Sequence, residues 1–418
     1  MQRQPASALD LFTDSTRMMG DSTIVSVMEF DRHLDLRRLR VAVDRCFGAY
    51  PILRARLVRG NGPAYWELRT LTAGMTDVPV TDIGNDDHRR YVTRGVDPYT
   101  APQAVFRVLR SPARDVLVIN LAHAAADGGG MKELARTLLQ AYLDPGSVPS
   151  NGEGLPARDT LWTVTRLDGQ DTRRTDGVTL INPMWPSPCA PSKAPSDYHR
   201  AVIAPEGLSS IKKMAKASGG TVNDVFLAAY FLALSDLTGH NGPQSVFFPV
   251  DLRRYLTDGS RAMTNQSANV SITVYRGPGE GMAEMLARIS EETGKMKRSN
   301  IGIMDQVMFD RGSDPEGLEV RKMVEEMVRL QNEEGLADIF ITNPGPMVLP
   351  EVPGLEDAYI CYPGVLMPAT CFVISTFRGS VTVTIGYQDD ERSRDVTLKA
   401  LKGFVGYLPL TSDQYSIR

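Results

Sequence analysis

The sequence writes one pattern twice. Val116–Leu143 reads VLVINLAHAAADGGGMKELARTLLQAYL and Val381–Leu408 reads VTVTIGYQDDERSRDVTLKALKGFVGYL. Each is an apolar strand, a polar loop and an amphipathic helix of the same length, and both close on Tyr-Leu. Strand–loop–helix units are common, but the equal length and shared ending point to an ancestral duplication. Laid over each other, His123 meets Gln388 and Asp127 meets Arg392. Only the first copy then carries a histidine, and the chain is expected to hold one active site.

The rest of the chain surrounds these two segments with further α/β pieces. Residues 22–30 predict a strand, and 34–48 a helix with Leu36, Leu39, Val43 and Phe47 on one face. Pro51 ends that helix, and Ile52 to Val58 read as the next strand. Val105–Leu109 and Val116–Leu121 are strands, and Met131 to Leu143 is a helix stopped by Asp144-Pro145-Gly146. From Pro145 to about Asp197 the composition shifts to Pro, Ser and Gly, with Pro183, Pro186, Pro188, Pro191 and Pro195 crowded together. Such a stretch sustains neither helix nor central strand, so it reads as a crossover between two lobes, with Trp162 and Trp185 packing parts of it down. The expected division is 1–150, 151–197 and 198–418.

The second lobe restarts with a strand at His199–Ile203 and a helix over 206–217. Thr221 then caps a helix to Leu237 that is apolar on most of its circumference, the mark of a buried core helix. Val246–Val250 is a strand running into Asp251-Leu252-Arg253, and 283–335 reads as a charged, solvated helical region. Strands near Asp338–Ile341, Thr370–Phe377 and Val381–Tyr387 and a helix over 396–408 complete the chain.

Composition narrows the function. With 418 residues and a formal net charge of -4 the chain has room for two lobes but no global basic field for nucleic acid or an anionic membrane. Cys46, Cys189, Cys361 and Cys371 show no Cys-x-x-Cys spacing and no neighbouring histidine, so neither a metal site nor a disulfide framework is expected. The N-terminus lacks a signal-peptide core and no apolar run approaches a membrane span, which reads as a cytoplasmic protein. Met282, Met285, Met304 and Met308 read as helix packing before they read as an adaptable pocket.

Of the five histidines, only His123 sits where a buried strand gives way to a helix. Ala122, Ala124, Ala125 and Ala126 leave space around its ring, and Gly128-Gly129-Gly130 permit a tight turn and close backbone approach. A histidine there can take a proton and return it near neutrality. His33, His88, His199 and His240 lack that setting and read as structural.

The segment His123-Ala-Ala-Ala-Asp127-Gly128 resembles the His-x-x-x-Asp-Gly motif of the superfamily containing chloramphenicol acetyltransferases, plant-type acyltransferases, polyketide-associated acyltransferases and nonribosomal peptide condensation domains. Tyr50-Pro51-Ile52-Leu53-Arg54-Ala55-Arg56, Thr221-Val222-Asn223-Asp224-Val225, Val250-Asp251-Leu252-Arg253 and Thr342-Asn343-Pro344-Gly345 resemble further stretches of that superfamily, in its order. The resemblance implies an α/β (α+β sandwich) fold of two chloramphenicol-acetyltransferase-like lobes, a pseudo-dimer with a tunnel between them. It implies that His123 is the general base, deprotonating a hydroxyl or amine acceptor that attacks an acyl thioester. Asp127 would be structural beside Gly128, pairing with an arginine, either Arg253 or its neighbour Arg254. Asn343 and Ser267 would line the tunnel as candidate oxyanion donors, although Asn343 before Pro-Gly also suits a turn.

Two departures shape the expectation. Condensation domains carry a second histidine where this chain has Ala122, and the plant-type Asp-Phe-Gly-Trp-Gly motif is absent. With no attached carrier-protein segment in view, the reading favours a stand-alone acyltransferase, nearest to alcohol acetyltransferase or polyketide-associated proteins. Its co-substrate would be acyl-CoA, or acyl-pantetheine on a carrier protein, with no permanently bound cofactor and no metal. A catalytically silent binding protein on the same fold is the alternative of a different class.

Overall fold

The duplication written in the sequence is carried into the strand order. The computed structural model describes residues 2–149, 155, 196–255, 263–298, 301–334, 339–363, 370–388 and 391–418. Its first half holds strands β1 (Arg3–Pro5), β2 (Thr23–Phe30), β3 (Ala55–Gly60), β4 (Gly62–Leu68), β5 (Val80–Asp82), β6 (Ala104–Arg110) and β7 (Asp115–Ala122). The helices there are α1 (Ala8–Ser15), α2 (Leu36–Ala49), α3 (Arg89–Val92) and α4 (Gly128–Leu143). The second half holds β8 (Ser196–Ile203), β9 (Gln244–Asp251), β10 (Ser267–Val274), β11 (Ile339–Pro346), β12 (Leu355–Cys361), β13 (Thr370–Phe377), β14 (Ser380–Gln388) and β15 (Tyr415–Ile417). Its helices are α5 (Pro205–Ala217), α6 (Val222–Thr238), α7 (Met282–Arg298), α8 (Ile303–Arg311), α9 (Leu318–Glu334) and α10 (Glu391–Tyr407).

One sheet runs β12-β2-β7-β6-β5 and the other β10-β9-β11-β13-β14-β8-β15, with a small β1-β4-β3 sheet beside the first. Within them β2-β7-β6 and β8-β14-β13 are the same antiparallel arrangement. Val116 faces Glu29 on β2, and its counterpart Val381 faces Ile203 on β8. Each copy lays its helix on a neighbour, α4 on α2 and α10 on α6. Two cores result: Leu39, Phe47, Leu134 and Leu138 belong to one, and Phe226, Tyr230, Phe372 and Phe404 to the other. The helix α6 is buried on almost every face, as its all-round apolarity requires, and Thr221 and Asp224 cap it reciprocally.

Several expectations need correction. Pro51–Arg54 is a short 3-10 turn, and the strand starts only at Ala55. Proline fits the first turn of a helix because that position needs no N–H donor, so Pro51 opens a helical turn after ending α2. Residues 198–418 do not build the second lobe alone, because β12 leaves it to pair with β2, Tyr359 lying opposite Val27. Arg200 on β8 ties this crossing down. It donates to Glu29 at 2.6 Å and to Asp357, and its guanidinium lies 4.1 Å over the Tyr359 ring. The region over 283–335 is three helices rather than one solvated face, and α7 buries Met285, Leu286 and Ile289. The crossover segment and its two tryptophans lie outside the described residues, apart from the ends named above, as do the side chains of Met304 and Met308. No single described helix is long and apolar enough to cross a membrane.

Candidate active site

The site is built where the first repeat passes from β7 to α4. All eight residues of β7 are buried, so the strand runs through the interior and delivers its last residue, Ala122, to the end of the sheet. The chain then turns, and the Ala125 N–H donates to the Ala122 carbonyl at 2.9 Å. Ala124, Ala125 and Ala126 pack into the first core. Their small size lets the loop sink beneath the surface. The His123 ring remains half-buried, edge-on to Tyr362 with ring centroids 6.2 Å apart and planes at 84°.

Burial dominates the electrostatics of His123 and lowers its pKa. Its own carbonyl, the Asp127 carboxylate, Asn265 and Asp10 pull in the opposite direction without prevailing. The buried Nδ1 has no hydrogen-bond partner among the described residues. The ring is therefore neutral at neutral pH, the form that accepts a proton.

Asp127 turns its carboxylate to the start of α4 and to the opposite lobe. It is the N-cap of α4 and is 4 % exposed. Its Oδ1 accepts from the Gly130 N–H at 2.9 Å, and its Oδ2 from the Gln266 N–H at 2.8 Å. Arg253 adds a two-pronged ion pair, Nη2 to Oδ1 at 2.9 Å and Nη1 to Oδ2 at 3.0 Å. Burial opposes the charge on Asp127, yet Arg253 and the two backbone donors outweigh it and hold the pKa below the ordinary carboxylate value. Arg253 is fixed in turn by Asp251 and by the Thr264 carbonyl at 2.8 Å. The neighbouring Arg254 is exposed.

The glycines serve this ion pair. Gly128, Gly129 and Gly130 form the first turn of α4 and none has positive φ, so the tight turn expected of them is made instead by residues 122–125. What they provide is clearance. A Cβ on Gly129 would meet Arg253 Nη1 at 2.5 Å, and one on Gly128 would meet Pro344 at 3.3 Å. Three side chains invisible as site residues in the sequence complete the frame. Asn265, from the segment before β10, donates to the carbonyls of His123 at 3.0 Å and Ala124 at 2.9 Å and to Asp10 Oδ1 at 3.0 Å. Asp10, fully buried in α1, also accepts from the Trp66 indole at 3.0 Å. Lys132, one turn into α4, donates to the Pro344 carbonyl and so joins the two lobes beside the loop.

The other expected residues fall elsewhere. Asn343 donates to Asn223 at 2.7 Å and accepts from the Gly345 N–H at 2.9 Å, the local turn chemistry that its Pro-Gly context suggests. Ser267 is half-buried at the start of β10, paired with Asp251. The remaining histidines are engaged locally: His33 with the Ser111 carbonyl, His88 with Tyr359, His199 with the Arg394 carbonyl and the Tyr387 ring, and His240 with the Pro243 carbonyl. Among the described residues no cluster of three or more acidic, histidine or cysteine side chains could hold a metal ion. A cleft of about 580 Å³ opens beside α1, with Arg17, Asp21, Arg59, Tyr99 and Arg321 in its walls. Two residues beyond Asp21, Thr23 pairs with Ala122.

No protein-family model matches the chain. An uncharacterized protein of Mycobacterium tuberculosis is 28% identical over 296 residues, which is 63% of this chain and 65% of that relative. Malformin synthetase of Aspergillus lacticoffeatus is 24% identical over 329 residues, 75% of this chain but 6% of the synthetase. Among solved structures, polyketide synthase associated protein 5 from Mycobacterium tuberculosis superposes with a TM-score of 0.67 at 16% identity, covering 97% of this chain and 98% of that one. Trichothecene 15-O-acetyltransferase from Fusarium sporotrichioides gives 0.69 at 13% identity, over 97% and 94%. The first condensation domain of the CDA synthetase gives 0.63 at 13% identity over the full length of both. The chain has the two-lobed fold of condensation domains and chloramphenicol-acetyltransferase-like acyltransferases.

Proposed function

We propose that this protein is an acyltransferase that moves an acyl group from a pantetheine thioester to the hydroxyl or amine of a small molecule, with His123 as general base. The observation that carries the reading is the division of labour in the loop. Asp127 spends both carboxylate oxygens on α4, Gln266 and Arg253, while the neutral His123 ring is left half-buried at the strand end, edge-on to Tyr362, its Nδ1 without a hydrogen-bond partner among the described residues. In the proposed step Nε2 accepts the acceptor's proton as its oxygen or nitrogen bonds to the thioester carbonyl carbon. The tetrahedral oxyanion then collapses, the C–S bond breaks, and the thiolate takes the proton back from the imidazolium. The cleft beside α1 is the proposed entry for the acceptor.

Coenzyme A is the proposed pantetheine carrier, because Ala122 stands where condensation domains keep a second histidine. Likeness to condensation domains supports a carrier-protein donor as the second reading. The test measures thiol release from acyl-CoA and from acyl-pantetheinyl carrier protein with a panel of alcohols and amines. Release with acyl-CoA, matched by acyl-acceptor mass, supports the first reading, and release only from carrier protein supports the second. No acceptor-dependent release from either donor contradicts acyl transfer.

A further inference from the structure

The inner face of the second sheet carries one row of residues unlike those around it. Register places Phe247 of β9 against Phe340 of β11, Phe340 against Cys371 of β13, and Gly386 of β14 against Tyr198 of β8. The row faces the first lobe, since Tyr198 packs among Val25, Val27 and Val118. Adjacent residues such as Val246, Ile341 and Phe372 face the second core instead. Phe247 and Phe340 stack with centroids 5.5 Å apart.

Phe247, Phe340 and Cys371 are apolar and share the sheet face that Tyr198 turns to the first lobe, and Cys371 packs against the first core, yet all three are only half-buried. Neighbouring Val373, on the same face, is buried in the first core. Interior apolar groups that keep accessible surface line a space rather than fill one. The row also leads to the candidate base. At Gly386 it meets main chain rather than a side chain: an added Cβ would strike the Tyr362 carbonyl oxygen at 2.8 Å and that of Pro363 at 3.1 Å. The Tyr362 ring is the one set edge-on to His123, and both Tyr362 and Cys371 pack against the first core. At the far end, beyond Phe247, stands the polar Ser271 of the edge strand β10. From Gly386 to Phe247 is three strand spacings, about 14 Å, the reach of a chain of roughly ten carbons.

We propose that Phe247, Phe340 and Cys371, continued through Tyr362 to His123, form the shelf for an extended apolar acyl chain, so that the donor is a medium- or long-chain acyl thioester rather than an acetyl one. The shelf rests on the acyl-transfer reading for its biological meaning, but its binding is testable without turnover. The probes are S-dodecyl-pantetheine and S-methyl-pantetheine, thioethers with no carbonyl to attack, titrated calorimetrically into the full chain. Because each methylene leaving water tightens binding about fourfold, the dodecyl probe is expected to bind at least about 100-fold more tightly. Cys371→Trp, filling the middle of the row, should abolish that contrast. Phe340→Ser, which opens rather than crowds the site, should reduce it about tenfold and serves if Cys371→Trp does not fold. Equal affinities, no binding of either probe, or a contrast that survives the folded shelf variants would overturn the proposal. His123→Ala should keep the contrast intact, so the shelf and the base can fail separately.

Discussion

The two repeats differ most where strand becomes helix. In the second copy β14 is described to Gln388 and α10 from Glu391, and residues 389–390 lie outside the described residues. In the first copy five residues, His123–Asp127, separate β7 from α4. The strand stops one residue earlier and the helix begins two residues later, in an overlay that places Val116 on Val381. Where the first copy has Gly128-Gly129-Gly130, the second has Ser393-Arg394-Asp395. The longer loop holds the histidine, and the glycine turn admits Arg253 from the opposite lobe. A site thus comes from loosening a generic strand–helix joint and bracing it from outside.

The largest effect on the brace should come from Asp127→Asn. It removes the two-pronged pair with Arg253, leaving that guanidinium on the exposed Asp251, and should cost roughly 3–5 kcal/mol in denaturant unfolding. The pH dependence follows from the depressed pKa of Asp127. Its folded-state value lies below the unfolded one, so its contribution is complete above the unfolded carboxylate range and is lost as pH falls through the folded value. The variant should lack that acid-side component. Asn265→Ala removes the donor shared by His123, Ala124 and Asp10, and should cost roughly 1–3 kcal/mol. It should also lower turnover, because the loop carbonyls lose their tether.

Gly129→Ala sharpens the comparison further. Alanine is the better helix former by about 1 kcal/mol. The clash with Arg253 should nevertheless make the variant less stable by about 1 kcal/mol net, whereas Arg394→Ala in the second copy should change stability by no more than about 0.5 kcal/mol. Smallest is the expected shift of the rate profile. With the His123 pKa lowered by burial, kcat/KM should be flat through neutral pH and fall only below the ordinary histidine value of about 6.5.

The unequal joints also explain what the sequence could show. Periodicity located both repeats, the buried helix α6 and most strands, because local alternation and burial agree there. The likeness of short motifs pointed to Asp127 and Arg253, 126 residues apart, and the structure holds their carboxylate and guanidinium together. Asn265 and Asp10 carried no such signal, since an asparagine before a strand and an aspartate in a capping box look ordinary until the fold brings them under the His123 loop. The strand β12 was missed for a related reason. Its pairing partner β2 lies in the other half of the chain, and the crossing is stabilised by the distant Arg200. The role of the glycines was half legible: close approach followed from their lack of a side chain, but the group that approaches, Arg253, did not.

The central claim is that chemistry and architecture are divided between two residues of one loop. It is tested most directly by thioester consumption per folded molecule, measured side by side for wild type, His123→Ala and Asp127→Asn. The account predicts that His123→Ala loses about 10²–10⁴-fold in rate while its unfolding midpoint is unchanged. Asp127→Asn should lose stability first and keep much of its rate per folded molecule. An undiminished rate in His123→Ala would contradict it.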